Sequence, residues 1–409
     1  MLTGAAPSFG AAGDPGRAVL SQRLDDRPAA VREYWSSQRL RQARPAELAV
    51  SATGRLVRPA IAPRSAARAP RSAIESSAAS GSFPGSVHGK AFFTIAGGSS
   101  PGDYVCSATV VNSNQHTLAW TAGHCVNDAE FGGGFASNWV LIPGYRNGET
   151  PFGVWPADRL FTTAGWAQDV DIRQDLGAAR LGRDPEGRGI EDALGARPIK
   201  FDLSRTQQYT AFGYPAQPGL LEPTYDGERL YTCASAVTGA DNPPGNGPEP
   251  LQIDCDMTGG ASGGGWVNAS GAVNGLTSYG YVGDFVHLYG PYFGAEALGL
   301  YERASGPPLV CGGVAVTNLG GAGADDLAGA DGAETFKLGG DADRALGAGG
   351  ADRACGGAGA DTLKGGDGDD ALRGGSGADV INGGPGVDLC IGGAGVDRGP
   401  GCERRRQIP

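Results

Sequence analysis

Residues 356–391 read GGAGADTLK GGDGDDALR GGSGADVIN GGPGVDLCI, four consecutive nine-residue units of the form GGxGxDxUx, in which U is a large apolar residue. The glycines permit sharp turns, and the xUx half can form a short strand that points U toward a core. Followed outward, the sixth position is acidic in nine successive units: Asp325, Glu334, Asp343, Asp352, Asp361, Asp370, Asp379, Asp388 and Asp397. The eighth position reads Leu327, Phe336, Ala345, Ala354, Leu363, Leu372, Ile381, Cys390 and Gly399, apolar until the last unit. The units starting at Gly329 and Leu338 have lost glycines, and Glu334 replaces an Asp. A phase held this long argues against a structureless acidic linker, and the period of nine excludes collagen, whose period is three.

The rest of the composition fits around that segment. A length of 409 residues predicts two or three domains. The net charge of −11 is uneven: residues 320–400 carry fourteen Asp or Glu against six Lys or Arg, whereas residues 1–75 carry twelve Arg against six acids. An acidic C-terminal third argues against nucleic acid and for cations as partners. No run approaches the ~18 apolar residues of a membrane helix, so no membrane span is expected. Eight cysteines without a CxxC pair or an HExxH helix point to disulfides in an oxidising compartment rather than to zinc.

Residues 1–20 lack a basic stretch followed by seven or more apolar residues, so no signal peptide is visible there. The basic, Pro- and Ala-rich segment 1–80 cannot bury a core and reads as a mostly disordered propeptide-like segment or a plain tail, with a short helical piece at Arg32–Arg44. From 81 to 305 short apolar runs such as KAFFTIAG, YVCSATVVNS, NWVLIPGY and GLTSYGY alternate with turn signals. That density of short strands implies an all-β sandwich or barrel, and the length suits two small barrels. A linker, 306–318, leads to the repeats at 319–402, and a basic tail follows at 403–409.

The string CSATVVNSNQHTLAWTAGHCV places His124 directly before Cys125. TAGHC is similar to the catalytic-histidine motif of the chymotrypsin-fold serine peptidases. The resemblance implies a disulfide from Cys106 to Cys125, a catalytic His124, and a nucleophile in the stretch CDMTGGASGGGWV. There Ser262, in GGASGGG, resembles the family's GDSGG, and the N–H groups of Gly260 and Ser262 are placed to receive an oxyanion. A lone GxSxG would signify only a glycine-rich turn; TAGHC upstream gives it weight. The third member lies between them, where QDVDIRQDLGAARLG offers Asp169, Asp171 and Asp175. Asp175, followed by LGAARL, resembles the family pattern and is chosen, with Asp171 next. His88, His116 and His287 have no such context.

Ala261 stands where trypsin-like enzymes keep the aspartate that receives the new N-terminal amine, so that activation switch cannot operate. The bacterial glutamyl endopeptidases lack it too, and FGYPAQ at 212–217 and GLTSYGY at 275–281 also resemble them. By the same resemblance Asp256 and Ser278 fall at the specificity pocket, with Asp256 implying basic side chains if loop lengths are kept. Cys233 and Cys255 bracket a hairpin and are expected to pair. Cys311, Cys355, Cys390 and Cys402 allow three pairings, of which Cys390–Cys402 would staple the last turn.

The nonapeptides resemble the RTX, or haemolysin-type, calcium-binding parallel β-roll, in which loops eighteen residues apart share an ion. Calcium wants six to eight oxygens, and the implied ligands are Asp325, Asp343, Asp352, Asp361, Asp370, Asp379, Asp388 and Asp397. The fold expected is therefore all-β, a two-barrel peptidase domain plus a C-terminal parallel β-roll. The function expected is a secreted, monomeric serine endopeptidase acting on proteins or peptides, with bound Ca²⁺. The rival reading is a calcium-dependent extracellular binding or adhesion protein whose peptidase-like domain is inactive.

Overall fold

The computed structural model describes residues 18–59, 73–75, 83–216, 225–257, 259–284, 286–307, 310–320 and 324–406. These divide into two compact units, one made of most residues up to 304 and one of residues 305–409 with two short loops, 113–117 and 182–193. No helix among the described residues is long and apolar enough to cross a membrane.

In the first unit six strands close into a barrel. In ring order they are Trp155–Thr163, Ser137–Pro143, His88–Ile95, Gly102–Val111, Leu118–Thr121 and Gly177–Leu181, the last pairing back onto the first. Closure removes the sheet edges and leaves an interior packed by Val110, Ala119, Leu141, Leu160 and Ala179, all fully buried. A second antiparallel sheet runs Val273–Leu276, Gly265–Asn268, Gln208–Gly213, Tyr231–Ala240, Leu251–Asp254, His287–Gly290 and Tyr279–Tyr281. It curls into a half-barrel over Tyr209, Ala211, Ile253, Leu288 and Trp266. The disulfide Cys106–Cys125 ties the strand Gly102–Val111 to the turn after Leu118–Thr121, and Cys233–Cys255 ties two neighbouring strands of the half-barrel.

Residues 18–59 have no core of their own, as their composition implies, and borrow one from the barrels. Val19–Arg23 pairs with Trp155–Thr163, Arg44–Pro45 with Tyr104–Val105, and Leu48–Val50 with Tyr279–Tyr281, while Leu56–Val57 folds back on Leu48–Val50. Val31, Trp35, Leu40, Leu48 and Val50 are buried, and the Trp35 indole donates to the Asn138 carbonyl at 2.6 Å. The helical expectation at Arg32–Arg44 becomes two short helices, Pro28–Tyr34 and Ser37–Gln42, ended by the extended Arg44–Pro45. Residues 1–17, 60–72 and 76–80 of the same segment lie outside the described residues, as do 81 and 82 of the next.

The second unit is a solenoid of two parallel sheets. One holds Asn318–Leu319, Thr335–Gly339, Arg353–Ala358, Ala371–Ser376, Leu389–Ala394 and Arg404–Arg406; the other holds Asp326–Ala328, Arg344–Gly349, Thr362–Asp367 and Val380–Asn382. Neighbours are offset by two nonapeptides, Ala354 facing Leu372 and Leu372 facing Cys390 in one sheet, Leu363 facing Ile381 in the other. The eighth-position residues therefore stack into one narrow core, Phe336, Ala345, Ala354, Leu363, Leu372, Ile381 and Cys390. Cys311–Cys355 ties the preceding strand Val310–Cys311 to the third strand of the first sheet, and Cys390–Cys402 staples the last turn, so the last four cysteines pair in this way. Arg404–Arg406, within the expected tail, forms the final strand.

Candidate active site

The strand Leu118–Thr121 ends in a single turn, Gly123–Cys125, held by the Cys106 disulfide. The strand Gly177–Leu181 pairs with it directly, so Asp175, two residues before that strand, is delivered to His124 by sheet register. The His124 backbone N–H donates to Asp175 Oδ1 at 2.7 Å, and its ring Nδ1 lies 2.7 Å from Asp175 Oδ2. An ionised carboxylate only accepts, so in the neutral ring it selects the tautomer with the proton on Nδ1 and the lone pair on Nε2. Nε2 is buried and has no hydrogen-bond partner among the described residues. Ser278 Oγ donates a third hydrogen bond to Asp175, at 2.5 Å on Oδ2. A Cβ on Gly123 would come within 2.7 Å of both Asp175 Oδ1 and the Trp166 ring, so the position has no room for a side chain.

Ser262 is buried in the turn before the strand Gly265–Asn268. Gly260 and Gly263 flank it with φ of 98° and 81°, a region that side chains with a Cβ rarely adopt. The Ser107 N–H donates to the Ser262 carbonyl at 2.7 Å, and Ser107 Oγ donates to the Gly260 carbonyl at 2.8 Å while accepting from the Tyr214 N–H at 2.9 Å. Cys106 is the next residue, so one strand holds the His124 turn by its disulfide and the Ser262 turn by hydrogen bonds. A Cβ on Gly263 would collide with Thr121 Oγ1, which shows how closely the two turns approach.

The roll carries a second constellation. Asp361, Asp370, Asp379, Asp388 and Asp397 each accept, through Oδ1, the backbone N–H of the sixth-position residue eighteen earlier, at 2.8–3.0 Å. Asp343 and Asp352 do the same for Asp325 and Glu334. The Oδ2 atoms of all seven are buried and have no hydrogen-bond partner among the described residues. A Cβ on Gly356 or Gly383 would run into an Oδ2, of Asp361 or Asp388, and also into a carbonyl oxygen, of Gly374 or Gly401. Burial pushes Asp343 and Asp370 up to about 6, with neighbouring acids adding to the effect. Buried carboxylate oxygens beside carbonyls, with no donor to satisfy them, are a donor set that fits a hard cation.

Residues 106–276, a span that includes His124, Asp175 and Ser262, match the family model of the trypsin-like peptidase domain. Residues 329–363, 346–379 and 364–398 match that of the RTX calcium-binding nonapeptide repeat. Among solved structures, the chain is similar to the protease Anisep from Arthrobacter nicotinovorans, with 34% identity over 55% of this chain and 98% of that one, at a TM-score of 0.47. It is also similar to the thermostable serine protease AL20 from an extremophilic microorganism, with 40% identity over 54% of this chain and 97% of that one, again at a TM-score of 0.47. The chain carries a trypsin-like peptidase domain followed by RTX calcium-binding repeats. A Glu endopeptidase solved with MPD is 15% identical, over 58% of this chain and 97% of that one, at a TM-score of 0.45. No curated protein matches.

Within this trypsin-like domain the other candidate residues separate by their contacts. Asp171 accepts from the N–H groups of Arg173, Asn246 and Gly247 at 3.0, 2.8 and 2.9 Å, an anchor between two loops, and Asp169 ends the helix Ala164–Asp169. Asp256 and Ser278 both line a cleft that contains Ser262; Asp256 accepts from the Ala73 N–H at 2.8 Å and the Tyr225 hydroxyl at 3.3 Å. His88 stacks on Phe212 and is held well below its usual value by burial and by Arg197, whereas His116 and His287 pair with Asp192 and Asp284. Ser107 escaped the sequence reading, because a serine in a strand signals nothing about a turn far along the chain. We expect Asp175→Asn to lower kcat on the order of 10⁴-fold by releasing the tautomer. Asp171→Asn should instead leave kcat near its starting value and cost about 1–3 kcal/mol in thermal denaturation.

Proposed function

We propose that the chain is an extracellular serine endopeptidase whose repeats bind calcium. Ser262 attacks the scissile carbonyl, His124 takes its proton at Nε2 and returns it to the leaving amine, and Asp175 holds the ring. The N–H groups of Gly260 and Ser262 receive the developing oxyanion. The observation that supports this most is the state of His124, its Nδ1 tied to a buried carboxylate and its Nε2 buried without a partner. No hydrogen bond joins Nε2 to a described residue, in keeping with catalytic contacts that tighten only around substrate.

Calcium, when bound, supplies positive charge between the loops of the roll. Asp343, Asp352, Asp361, Asp370, Asp379, Asp388 and Asp397 would hold it through Oδ2, together with glycine carbonyls of the same loops. Asp325, the eighth residue of that set, gives its N–H to Asp343. We place the protein outside the cell because its eight cysteines form four disulfides and such bonds persist in oxidising surroundings.

Peptides that differ only at the residue before the cut test the reading of the cleft. With Asp256 lining it, substrates with Arg or Lys there should be preferred. Truncating one member of a buried charge pair costs about 2–5 kcal/mol, so Asp256→Ser should lower kcat/KM for an Arg peptide by about 10²-fold and change a Leu peptide little. Equal loss on both peptides would leave Asp256 as a packing residue. The rival reading, a binding protein with an inactive peptidase-like domain, requires that no peptide in the panel be cleaved.

A further inference from the structure

The cleft beside Ser262 is filled by the chain's own N-terminal segment. Leu48–Val50 lies along Tyr279–Tyr281 as an added parallel strand, Leu48 facing Tyr279, Ala49 facing Gly280 and Val50 facing Tyr281. The Val282 N–H continues the pairing to the Val50 carbonyl at 3.0 Å. Glu47, Leu48 and Ala49 line the cleft with Ser262, and a Cβ on Gly259, three residues before Ser262, would lie 2.8 Å from Glu47 Cβ. What remains is a cavity of about 50 Å³. That is room for a few waters, against roughly 300 Å³ or more in a ligand site.

The segment is secured on both sides of the cleft. Leu48 and Val50 are buried with Trp166, Ile172, Tyr279 and Tyr289. Before them, Arg44–Pro45 pairs with Tyr104–Val105, and the Ala46 N–H reaches the Val105 carbonyl at 3.0 Å. After them, Arg58 forms an ion pair with the buried Asp128 and lies 4.5 Å over the Tyr104 ring and 4.4 Å over Phe131.

We propose that residues 44–58 form an autoinhibitory strap that occupies the strand position of a peptide substrate in the reverse direction. The proposal rests on the reading of Ser262 as nucleophile and deepens it. A substrate adding to this edge gains backbone hydrogen bonds by strand addition. Its acyl half must run toward Ser262, from the Tyr281 end to the Tyr279 end, antiparallel to Tyr279–Tyr281. The strap runs the other way, so any of its peptide bonds brought to Ser262 would present the amine on the acyl side, where no leaving group can depart. It therefore blocks the groove without being a substrate of it.

The test is the rate at which a fluorophosphonate labels Ser262, and the rate of hydrolysis of a short peptide, in the full chain, in Leu48→Asp and in Arg58→Glu. Both variants should react at least about tenfold faster than the full chain, as expected for a shift in the open population. A synthetic peptide of residues 44–58, RPAELAVSATGRLVR, should inhibit both variants and be recovered uncleaved between residues 46 and 49. Arg58 is not part of the Leu48 cluster, which preserves the comparison should Leu48→Asp not fold. A full chain that reacts as fast as the folded variants overturns the strap and leaves the peptidase reading standing, and cleavage of the peptide between residues 46 and 49 overturns its reversed polarity. No labelling of the full chain or of either variant overturns the role of Ser262, and the strap with it.

Discussion

Ser262→Ala should lower kcat for peptide hydrolysis on the order of 10⁴-fold or more, His124→Ala should do the same, and the double substitution should cost little beyond either one. The reason is that the two act on a single proton. Without His124 the Ser262 hydroxyl has no base, and without Ser262 the lone pair on Nε2 has nothing to activate. Residual rate above the uncatalysed reaction should survive in each variant, because the N–H groups of Gly260 and Ser262 still receive the oxyanion of a water-attacked carbonyl. Rates measured in the Leu48→Asp background keep the strap from obscuring the difference. Losses that multiply, each variant small and the double much larger, would mean that His124 and Ser262 work separately.

The second large effect is expected on removing calcium. Seven buried Oδ2 atoms without hydrogen-bond partners among the described residues stand in the loops of the roll, while the core beneath them is narrow, with two alanines and two cysteines among its members. So thin a core gives little burial to offset the desolvated charges. Chelator should therefore unfold the roll in the full chain, read as lost amide protection over Thr362–Asp367 and Ala371–Ser376, and millimolar calcium should restore it. Magnesium, which demands tighter octahedral geometry, should not substitute. Asp361→Ala and Asp379→Ala should weaken the calcium-driven transition more than Glu334→Ala.

The acidity of the loops fixes the sign of the pH effect. Burial pushes Asp343 and Asp370 up to about 6, above the unfolded carboxylate value near ~3.9. Folding without calcium is thus favoured by protonation, fully below the unfolded value, and loses that stability as the pH rises through about 6. Removing calcium should cost less at pH 5 than at pH 8. Amide protection that is indifferent to chelator at pH 8 would reduce the repeats to a scaffold.

What the sequence made legible follows from how local each feature is. The roll repeats a contact between residues eighteen apart, so its phase, its core positions and its acid ladder are all written in a nonapeptide. His124 and Ser262 each sit in a turn whose glycines and neighbours are adjacent in the chain. Asp175 could be chosen over Asp171 only by resemblance, since both are acids in one short stretch; strand pairing with Leu118–Thr121 is what separates them. Ser107 and the bond from Ser278 to Asp175 depend on segments brought together from far apart. The strap was least legible. Leu48–Val50 is three residues long, and Trp35 finds its partner Asn138 in another strand, so a segment without a core of its own read as one without structure. The pairing of Cys311 with Cys355 was hidden for the same reason, being set by where the chain enters the roll.

The central claim is that Ser262, activated by His124, is a nucleophile. The most direct measurement is peptide mapping by mass spectrometry of protein treated with a fluorophosphonate, carried out on the full chain, on Leu48→Asp, and on Leu48→Asp combined with Ser262→Ala or His124→Ala. One phosphonate adduct is expected on Ser262 in Leu48→Asp, a slower one at the same residue in the full chain, and none in either double variant. Folded Leu48→Asp protein with no adduct on Ser262, or with an equal adduct when His124 is absent, would contradict the claim.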